Sequence, residues 1–413
     1  MKIAIVGGGA AGFMAAITCA ELYPMADVTI YERNGDVLDK VRISGGGRCN
    51  VTNSISDVNE LLKNYPRGHK ELKGAFSQFN TRHTWDWFEK RGLRLKTEAD
   101  GRVFPTSDSS ESVIEVLSEA VNDLGIQVKL KHNLTNLSFI EKTNGWMLEF
   151  DDLTVKADRL LIATGSSTRV WEMLRALGLE IEPTVPSLFT FRVDTPWVRA
   201  LSGISLPDAL VEIPNLKLKA EGPLLFTHWG FSGPAILKLS AWGAKQLNAE
   251  AYRFNLKINY LGKEYNPEVT RQEVLGYKQT YPKRLITTHS PFAQMPLRLW
   301  QNLCEQLEVP AIQWAQSTKE HDNKLINALH NSIFTVTGKS TFKDEFVTAG
   351  GIKLSEMDLK TFATKKYPTL FIAGEMLNID AITGGFNFQA AWTGGYLAGI
   401  SLGQSIQIKN NEN

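Results

Sequence analysis

The chain has 413 residues, of which 43% are hydrophobic and 22% are charged, a composition typical of a soluble globular protein with two or three domains. Its 45 basic and 44 acidic residues give a formal net charge of +1, which excludes a global electrostatic attraction to nucleic acid or to an anionic membrane. The three scattered cysteines exclude a disulfide framework, a dithiol redox pair and a zinc site, and they indicate a reducing compartment.

The first predicted elements are a strand, a glycine-rich turn and a helix within Lys2–Gly12 (KIAIVGGGAAG) and the residues that follow. Gly7, Gly9 and Gly12 match the G-x-G-x-x-G spacing. The first glycine permits a tight turn, the second lets the backbone approach a pyrophosphate, and the third lets the helix pack on the strand. A second apolar strand ends at Glu32, where a carboxylate accepts hydrogen bonds from an adenosine ribose. The segment therefore predicts a dinucleotide site.

Two later strands favour FAD over NAD as the dinucleotide. Lys156–Ser166 (KADRLLIATGS) ends in an A-T-G turn, which returns the chain to the dinucleotide in flavoproteins of the glutathione-reductase type. Thr369–Glu375 (TLFIAGE) ends in a glycine and an acid that suit the ribityl and pyrophosphate region. A glycine pair then precedes a helix predicted over about residues 388–402. The N-terminus of this helix is expected to face the flavin pyrimidine ring, where negative charge develops on reduction.

The sequence contains one dinucleotide fingerprint after a strand, so a separate NAD(P)H-binding domain is not expected. Reducing equivalents then come from the substrate, from NAD(P)H visiting an open flavin face, or from another protein. We expect non-covalent FAD, with NAD(P)H as a candidate electron donor.

Beyond Glu32 the chain contains five ordered motifs: Lys40–Asn53 (KVRISGGGRCNVTN), Lys96–Asp108 (KTEADGRVFPTSD), Leu225–Leu237 (LFTHWGFSGPAIL), Val347–Ile352 (VTAGGI) and Gly374–Gln389 (GEMLNIDAITGGFNFQ). In these blocks the chain resembles the HI0933-like, or aminoacetone-oxidase-like, family of bacterial FAD-binding flavoproteins. The resemblance covers nearly the whole sequence. The chain departs from the family pattern at Ser166, Asn378, Ala381 and Phe386.

The fingerprint and the family blocks together predict a set of cofactor-binding residues. Glycines in it free the backbone to approach the ligand, and polar side chains supply donors for carbonyl and phosphate oxygens. The set is Gly7, Gly9, Ala10, Ala11, Gly12, Glu32, Arg33, Lys40, Ser44, Gly45, Gly46, Arg48, Cys49, Asn50, Thr164, Gly165, Gly374, Glu375, Gly384, Gly385, Phe386 and Asn387.

Three of the singled-out residues have more than one interpretation. Arg48 is expected near the isoalloxazine, binding an electron-rich carbonyl or phosphate. His228 is either a proton donor in the same cavity or a buried histidine bonded to backbone, because histidine serves both purposes. Cys49 is either a reactive thiol or, as we prefer, a small packed residue. Both Arg48 and His228 are candidate catalytic residues, and Asn387 is expected to steady the pyrimidine edge.

The predicted fold class is α/β, with a Rossmann-like FAD-binding domain of the glutathione-reductase type, an inserted β-barrel-like domain and a helical subdomain. The FAD-binding domain is expected to be discontinuous, over residues 1–186 and 350–413. Short alternating segments predict a β-rich substrate domain over 187–265 and 333–349, with Glu345–Thr348 returning to its sheet. Apolar residues at helical spacing predict a helical insert over 266–332.

These features predict an FAD-dependent oxidoreductase that transfers hydride through flavin N5. The resemblance implies several substrates: amines of the aminoacetone type, conjugated enones in steroid-like compounds, or uridine in ribosomal RNA. An RNA substrate requires a basic surface around the flavin, which Arg42, Arg48, Arg67 and Lys70 are expected to build together with the helical insert. Basic runs such as Arg67–Lys73 are more commonly solvated faces. A flavin-containing scaffold without turnover is the third alternative.

The location is expected to be cytoplasmic. The first strand begins at Lys2, which leaves no room for a signal peptide, and the sequence has no apolar run of transmembrane length. We therefore expect no membrane partner, while the sequence leaves the oligomeric state open.

Overall fold

A computed structural model describes residues 1–340 and 347–404. Its described residues divide into two compact units, the first comprising 1–185 with 347–404 and the second comprising 186–340. The strands are β1 (Lys2–Val6), β2 (Asp27–Tyr31), β3 (Thr52–Asn53), β4 (Leu95–Thr97), β5 (Arg102–Pro105), β6 (Gln127–Lys129), β7 (Leu134–Ile140), β8 (Gly145–Phe150), β9 (Thr154–Ala157), β10 (Arg159–Ile162), β11 (Ile181–Ser187), β12 (Thr190–Val193), β13 (Ser205–Ile213), β14 (Leu218–Thr227), β15 (Gly230–Ser232), β16 (Phe254–Asn259), β17 (Ser332–Ser340), β18 (Val347–Ile352), β19 (Met357–Asp358), β20 (Ala363–Thr364) and β21 (Leu370–Ile372).

The α-helices are distributed over both units. They are α1 (Ala10–Leu22), α2 (Asp39–Gly47), α3 (Val58–Leu62), α4 (Lys73–Gln78), α5 (Thr81–Glu89), α6 (Glu111–Asp123), α7 (Thr168–Ala176), α8 (Pro196–Ala200), α9 (Pro234–Ala249), α10 (Pro267–Thr280), α11 (Leu297–Gln306), α12 (Lys319–Asn331) and α13 (Phe386–Leu402).

The first unit is built on a seven-stranded sheet in the order β19-β20-β21-β10-β1-β2-β6. Five neighbouring strands, β21, β10, β1, β2 and β6, are parallel to one another, and β19 and β20 add an antiparallel edge beside β21. Every residue of β1 except Lys2 is buried, as expected for a parallel strand covered on both faces. Smaller sheets, β7-β8-β9, β3-β5-β4 and β11-β18, complete the unit. The predicted Rossmann-like sheet is confirmed.

Helices α1 and α13 pack closely because small residues line their contact. A Cβ atom added at Gly399 would lie 2.7 Å from the Ala15 carbonyl oxygen and 2.7 Å from Thr18 Cβ. A Cβ at Gly395 would lie 2.5 Å from the Ala11 carbonyl oxygen. Both helices are buried along most of their length, so they form the centre of the first unit. The prediction placed the start of the last helix near residue 388, whereas α13 begins at Phe386.

The second unit contains a closed antiparallel barrel in the order β12-β15-β14-β13-β16-β17. Pairing of Phe191 with Lys339 joins the first and last strands and closes the barrel. Helix α9 packs on β14, and helices α10 to α12 are inserted between β16 and β17. The predicted inserted barrel and helical subdomain are thus both present.

One predicted strand pairing is wrong. Val347 and Thr348 were expected to return to the barrel sheet, but they begin β18, which pairs with β11 instead. The remainder of that predicted segment, Glu345 and Phe346, lies outside the described residues. The close approach of β18 to β11 depends on Gly350. A Cβ atom at Gly350 would overlap the backbone of Pro183, so only glycine allows the two strands to approach this closely.

The described residues offer neither a membrane-spanning helix nor a metal-binding cluster. In the described parts of the chain, none of the helices combines the length and apolar character needed to cross a bilayer. The same residues contain no cluster of histidine, cysteine, aspartate or glutamate side chains suited to a metal ion.

Candidate functional site

The three glycines of the turn between β1 and α1 have different surroundings. Gly7 has φ of +113°, and a Cβ there would overlap the Ala163 carbonyl oxygen. A Cβ at Gly12 would overlap the Gly7 carbonyl oxygen, so helix and strand approach as closely as the backbone allows. At Gly9, by contrast, no described atom beyond its own chain neighbours lies within 4 Å of such a Cβ. Gly9 therefore borders open space, and binding of a pyrophosphate there stays a prediction.

Glu32 connects the end of β2 to this glycine turn. Its Oε2 atom accepts a hydrogen bond from the Gly8 N–H at 2.8 Å, and its Oε1 atom accepts one from the Asn34 N–H at 2.9 Å. The half-buried carboxylate thus lies directly beside the turn, where a ribose hydroxyl could share it. The adjacent Arg33 is exposed.

The carboxyl ends of β10 and β21 bring further predicted residues to the same edge of the sheet. The Ala163 N–H donates to the Val6 carbonyl at 2.8 Å, which places the A-T-G turn beside β1. Glu375 follows β21, accepts the Thr348 N–H at 2.8 Å and forms an ion pair with Lys40. A Cβ at Gly165 would lie 3.8 Å from Glu375 Oε2. The structure therefore collects predicted residues from three distant segments.

The segment that follows Lys40 leaves helical geometry at Ser44 and the three consecutive glycines after it. Gly45, Gly46 and Gly47 have φ of +59°, +70° and +84°, a left-handed run that residues with a Cβ rarely adopt. No described atom beyond the chain neighbours lies within 4 Å of a Cβ added at Gly46 or Gly47. Ser44 donates its hydroxyl to the Val41 carbonyl at 2.9 Å. The three glycines are exposed, and contact of this run with the flavin stays a prediction.

Cys49 follows the glycine run in sequence and is fully buried. Burial raises the pKa of its thiol to about 12, because a thiolate would lose its hydration there. The thiol is therefore protonated at neutral pH, which supports its interpretation as a small packed residue.

Arg48 is already engaged by carboxylates. Its Nε donates to Asp108 at 2.9 Å, it forms an ion pair with Glu98, and its guanidinium lies 4.0 Å from the ring centre of Phe104. Hydrogen bonds from Lys96 and from Arg48 lower the pKa of Asp108. The carboxylates and the aromatic ring fix the guanidinium, so contact of Arg48 with a substrate stays a prediction.

The loop before α13 packs on the segment that follows the glycine run. Asn53 Nδ2 donates to the Gly384 carbonyl at 2.9 Å, and the Thr52 hydroxyl donates to Gln389 Oε1 at 2.6 Å. A Cβ at Gly385 would overlap the Thr52 carbonyl. The Asn50 amide oxygen, in the orientation that satisfies both ends of the amide, accepts the Gly385 N–H at 2.8 Å. The predicted motifs Lys40–Asn53 and Gly374–Gln389, which are far apart in sequence, therefore pack against each other.

Asn387 makes two side-chain hydrogen bonds to the backbone of the loop that precedes α13. Its Oδ1 accepts the Ala381 N–H and its Nδ2 donates to the Ala381 carbonyl, each at 3.0 Å. This use of both ends of the amide shapes the loop, and direct contact between Asn387 and the flavin stays a prediction. Phe386, its neighbour, is buried.

Both helices that begin at this site have a glycine at the N-cap, so the N-cap residue itself supplies no side-chain hydrogen bond. The residues at their N-caps are Gly9 for α1 and Gly385 for α13. Free N–H groups and the positive end of the helix dipole favour an anionic phosphate or an electron-rich carbonyl at such positions.

His228 lies in the second unit, in the two-residue turn between β14 and β15. Its side chain is exposed, and its ring packs edge-on against Trp229 with 4.2 Å between ring centres. The alternative interpretation of His228 as a buried histidine bonded to backbone is therefore wrong. A role as proton donor remains a prediction.

The sequence comparisons agree with this geometry. The family model described as the HI0933-like protein Rossmann domain matches residues 1–401. The chain belongs to the HI0933-like family.

Curated relatives of this HI0933-like chain have different activities in their names. The chain is 28% identical to a 3-dehydro-bile acid delta(4,6)-reductase of Clostridium scindens, over 96% of this chain and 98% of the relative. It is 26% identical to proteins named ribosomal RNA dihydrouridine synthase from Haemophilus influenzae and Escherichia coli, over 96% of this chain and 97% of each.

A solved structure supports the fold of this HI0933-like protein. The 3-ketosteroid-delta4-(5alpha)-dehydrogenase of Rhodococcus jostii RHA1, solved with 4-androstene-3,17-dione, superposes with a TM-score of 0.55 at 14% identity, covering 98% of this chain and 96% of that one. The fold is the Rossmann-like FAD-binding fold, and the protein is an FAD-dependent oxidoreductase. The predicted fold class and enzyme class are confirmed.

Sequence reasoning assigned none of three residues that shape this site to the flavin-binding unit's loop. The buried Tyr65 hydroxyl donates to the Phe386 carbonyl at 2.6 Å, and Arg67 forms an ion pair with the fully buried Asp380. Of the two interpretations of the basic run containing Arg67, the solvated face is wrong for this arginine because its side chain is only 13% exposed. The one signal for Asp380 was its position inside the predicted Gly374–Gln389 motif.

Proposed function

We propose that this HI0933-like enzyme reduces the carbon–carbon double bond of a conjugated enone in a small, steroid-like molecule, with NAD(P)H as electron donor. The choice of a small molecule over RNA rests on one observation: three arginines that were expected to attract RNA are paired with carboxylates. Arg42 pairs with Glu111 and Asp36, Arg48 with Glu98 and Asp108, and Arg67 with Asp380. Three of the four residues that were expected, together with the helical insert, to build a basic RNA surface are thus paired with carboxylates. The similarity to the bile acid reductase supports the enone.

The residues of the first unit fit FAD. The open space at Gly9 suits the pyrophosphate, and Glu32 suits the adenosine ribose. The exposed glycines Gly46 and Gly47, together with the start of α13, suit the ribityl chain and pyrimidine ring. When bound, FAD supplies hydride transfer through N5.

Saturation of an enone consumes one hydride at the β-carbon and one proton at the α-carbon. We assign the proton to the imidazole of His228, whose exposure leaves it accessible to a substrate and to solvent for reprotonation. The second unit, residues 186–340 with the barrel and its helical insert, is the proposed substrate domain.

Anaerobic reduction of the purified protein tests this proposal. NADPH or NADH is added while the flavin absorbance is recorded, and a steroid 4-en-3-one or ribosomal RNA is then added to separate samples. We expect bleaching by the nicotinamide and recovery of the absorbance with the steroid, with the saturated ketone as product. Reoxidation by RNA alone, with dihydrouridine formed, would establish the alternative function in RNA modification, which the similarity to the two synthases supports.

A further inference from the structure

A short segment, residues 64–68, runs antiparallel to residues 379–382 at the entrance to α13. The Ile382 N–H donates to the Asn64 carbonyl at 3.0 Å, and Arg67 and Asp380 form an isolated antiparallel bridge. A Cβ at Gly68 would lie 2.8 Å from Ile379 Cγ1, so the two strands of chain are in direct contact. We call residues 64–68 the strap.

The strap is joined to the loop by a buried ion pair. Arg67 Nε donates to Asp380 Oδ1 and Arg67 Nη2 donates to Oδ2, so the guanidinium and carboxylate meet as two planar forks. The Asp380 side chain is 0% exposed and that of Arg67 is 13% exposed. A buried pair of this kind contributes little net stability compared with apolar side chains of similar volume, but it fixes orientation.

The Arg67–Asp380 pair orients the first turn of α13. Asp380 directly precedes Ala381, whose N–H and carbonyl are both bonded to Asn387. From the other side, Tyr65 of the strap donates to the Phe386 carbonyl at 2.6 Å. Movement of Asp380 would therefore carry the whole loop and the free N–H groups at the start of α13 with it.

We propose that Arg67 and Asp380 are positioning residues, which hold the N-terminal turn of α13 in the geometry that binds and tunes the flavin. This inference rests on the proposed function, because it takes the start of α13 as part of the FAD site. Arg67 acts through Asp380, and Tyr65 reinforces it through Phe386.

The test compares ion-pair variants by FAD affinity, flavin absorption bands and midpoint potential. Arg67→Lys keeps the charge but loses the planar fork, and it should weaken FAD binding to the apoprotein by about tenfold and shift the absorption bands. Asp380→Asn should have a larger effect. Arg175→Lys is the matched control, because Arg175 pairs with Glu172 on the exposed face of α7, and it should leave all three readouts unchanged.

Single substitutions in a buried pair can prevent folding by leaving one charge unpaired. The double variant Arg67→Met/Asp380→Leu removes both charges and should fold with thermal stability near wild type, while FAD affinity falls and the absorption bands shift. Wild-type FAD affinity, spectrum and potential in the folded double variant would overturn the positioning role. Failure of the wild-type apoprotein to take up FAD would instead overturn the proposed function.

Discussion

At the scale of single residues, the glycine fingerprint separates into two positions that are packed against backbone and one position that borders open space. Gly7 and Gly12 are held against backbone atoms, whereas Gly9 borders open space. The G-x-G-x-x-G pattern by itself assigns these surroundings only by analogy, and the contacts in this chain show them physically.

Substitutions at Gly9 and Gly12 should therefore fail in different ways. Gly9→Val should fold but purify without FAD, because valine fills the pyrophosphate space. Gly12→Ala should lower the free energy of unfolding of the apoprotein by about 1–3 kcal/mol, since the added Cβ collides with the Gly7 carbonyl. FAD released by heat is quantified by chromatography, and stability is measured by urea denaturation. Full FAD occupancy in Gly9→Val would show that the turn does not bind the cofactor.

His228 provides a second prediction at this scale. His228→Ala should slow substrate reduction by about 100-fold or more, which is the range for loss of a general acid, while FAD content and reduction by NADPH stay normal. Separate rates for the two half-reactions are measured by stopped flow. His289→Ala is the control, because His289 is another exposed histidine of the second unit. Equal rates in the His228 variant and the wild type would remove His228 from the mechanism.

At the scale of elements, the close packing of α13 on α1 supports both helix N-termini of the site. The same two helices supply Gly9 and Gly385 as N-caps and meet through Gly395 and Gly399. A change in this packing is therefore expected to affect the fold before it affects the cofactor.

Two helical glycines should respond to alanine with opposite signs. Gly399→Ala should destabilise the protein by about 1–3 kcal/mol, since its Cβ would lie 2.7 Å from the Ala15 carbonyl and from Thr18 Cβ. Gly276→Ala, on the exposed face of α10 with no described atom within 4 Å of the new Cβ, should stabilise it by about 0.5–1 kcal/mol. Urea denaturation measures the free energy of unfolding of both variants. A stabilised Gly399 variant would contradict the close packing of α13 on α1.

At the scale of the whole molecule, the chain folds as two compact units, one of them interrupted by the other. The second unit is continuous in sequence and includes a closed barrel, whose six strands pair with one another. The predicted FAD residues, by contrast, all belong to the first unit.

Separation of the units should divide the functions. Residues 186–342 expressed alone should unfold cooperatively on heating and bind no FAD, because the barrel closes without the first unit. Residues 1–185 joined by a short glycine–serine linker to 343–413 should bind FAD but reduce no substrate, since His228 is absent. Calorimetry and FAD titration measure both fragments. FAD binding by the isolated barrel fragment would refute the assignment of roles.

The sequence by itself determined the local features of this protein. The glycine spacing, the apolar strands and the acid at the end of β2 identify a dinucleotide-binding unit, because turns and amphipathic periods depend on neighbouring residues. Alternating residues likewise predicted the barrel, and helical spacing predicted the insert. Boundaries at β18 and α13 were less accurate, since the partner strand and the packing helix decide where an element begins.

Only the tertiary structure decided which side chains remain available for chemistry. Sequence predicted Arg48 and Asn387 near the flavin, and folding pairs Arg48 with Glu98 and Asp108 and bonds Asn387 to Ala381. Sequence also left Arg67 as part of a solvated face or a basic surface, because its partner Asp380 lies 313 residues away. The physical reason is that the burial and pairing of a charge depend on residues brought together by folding, and a pattern along the chain does not contain that information.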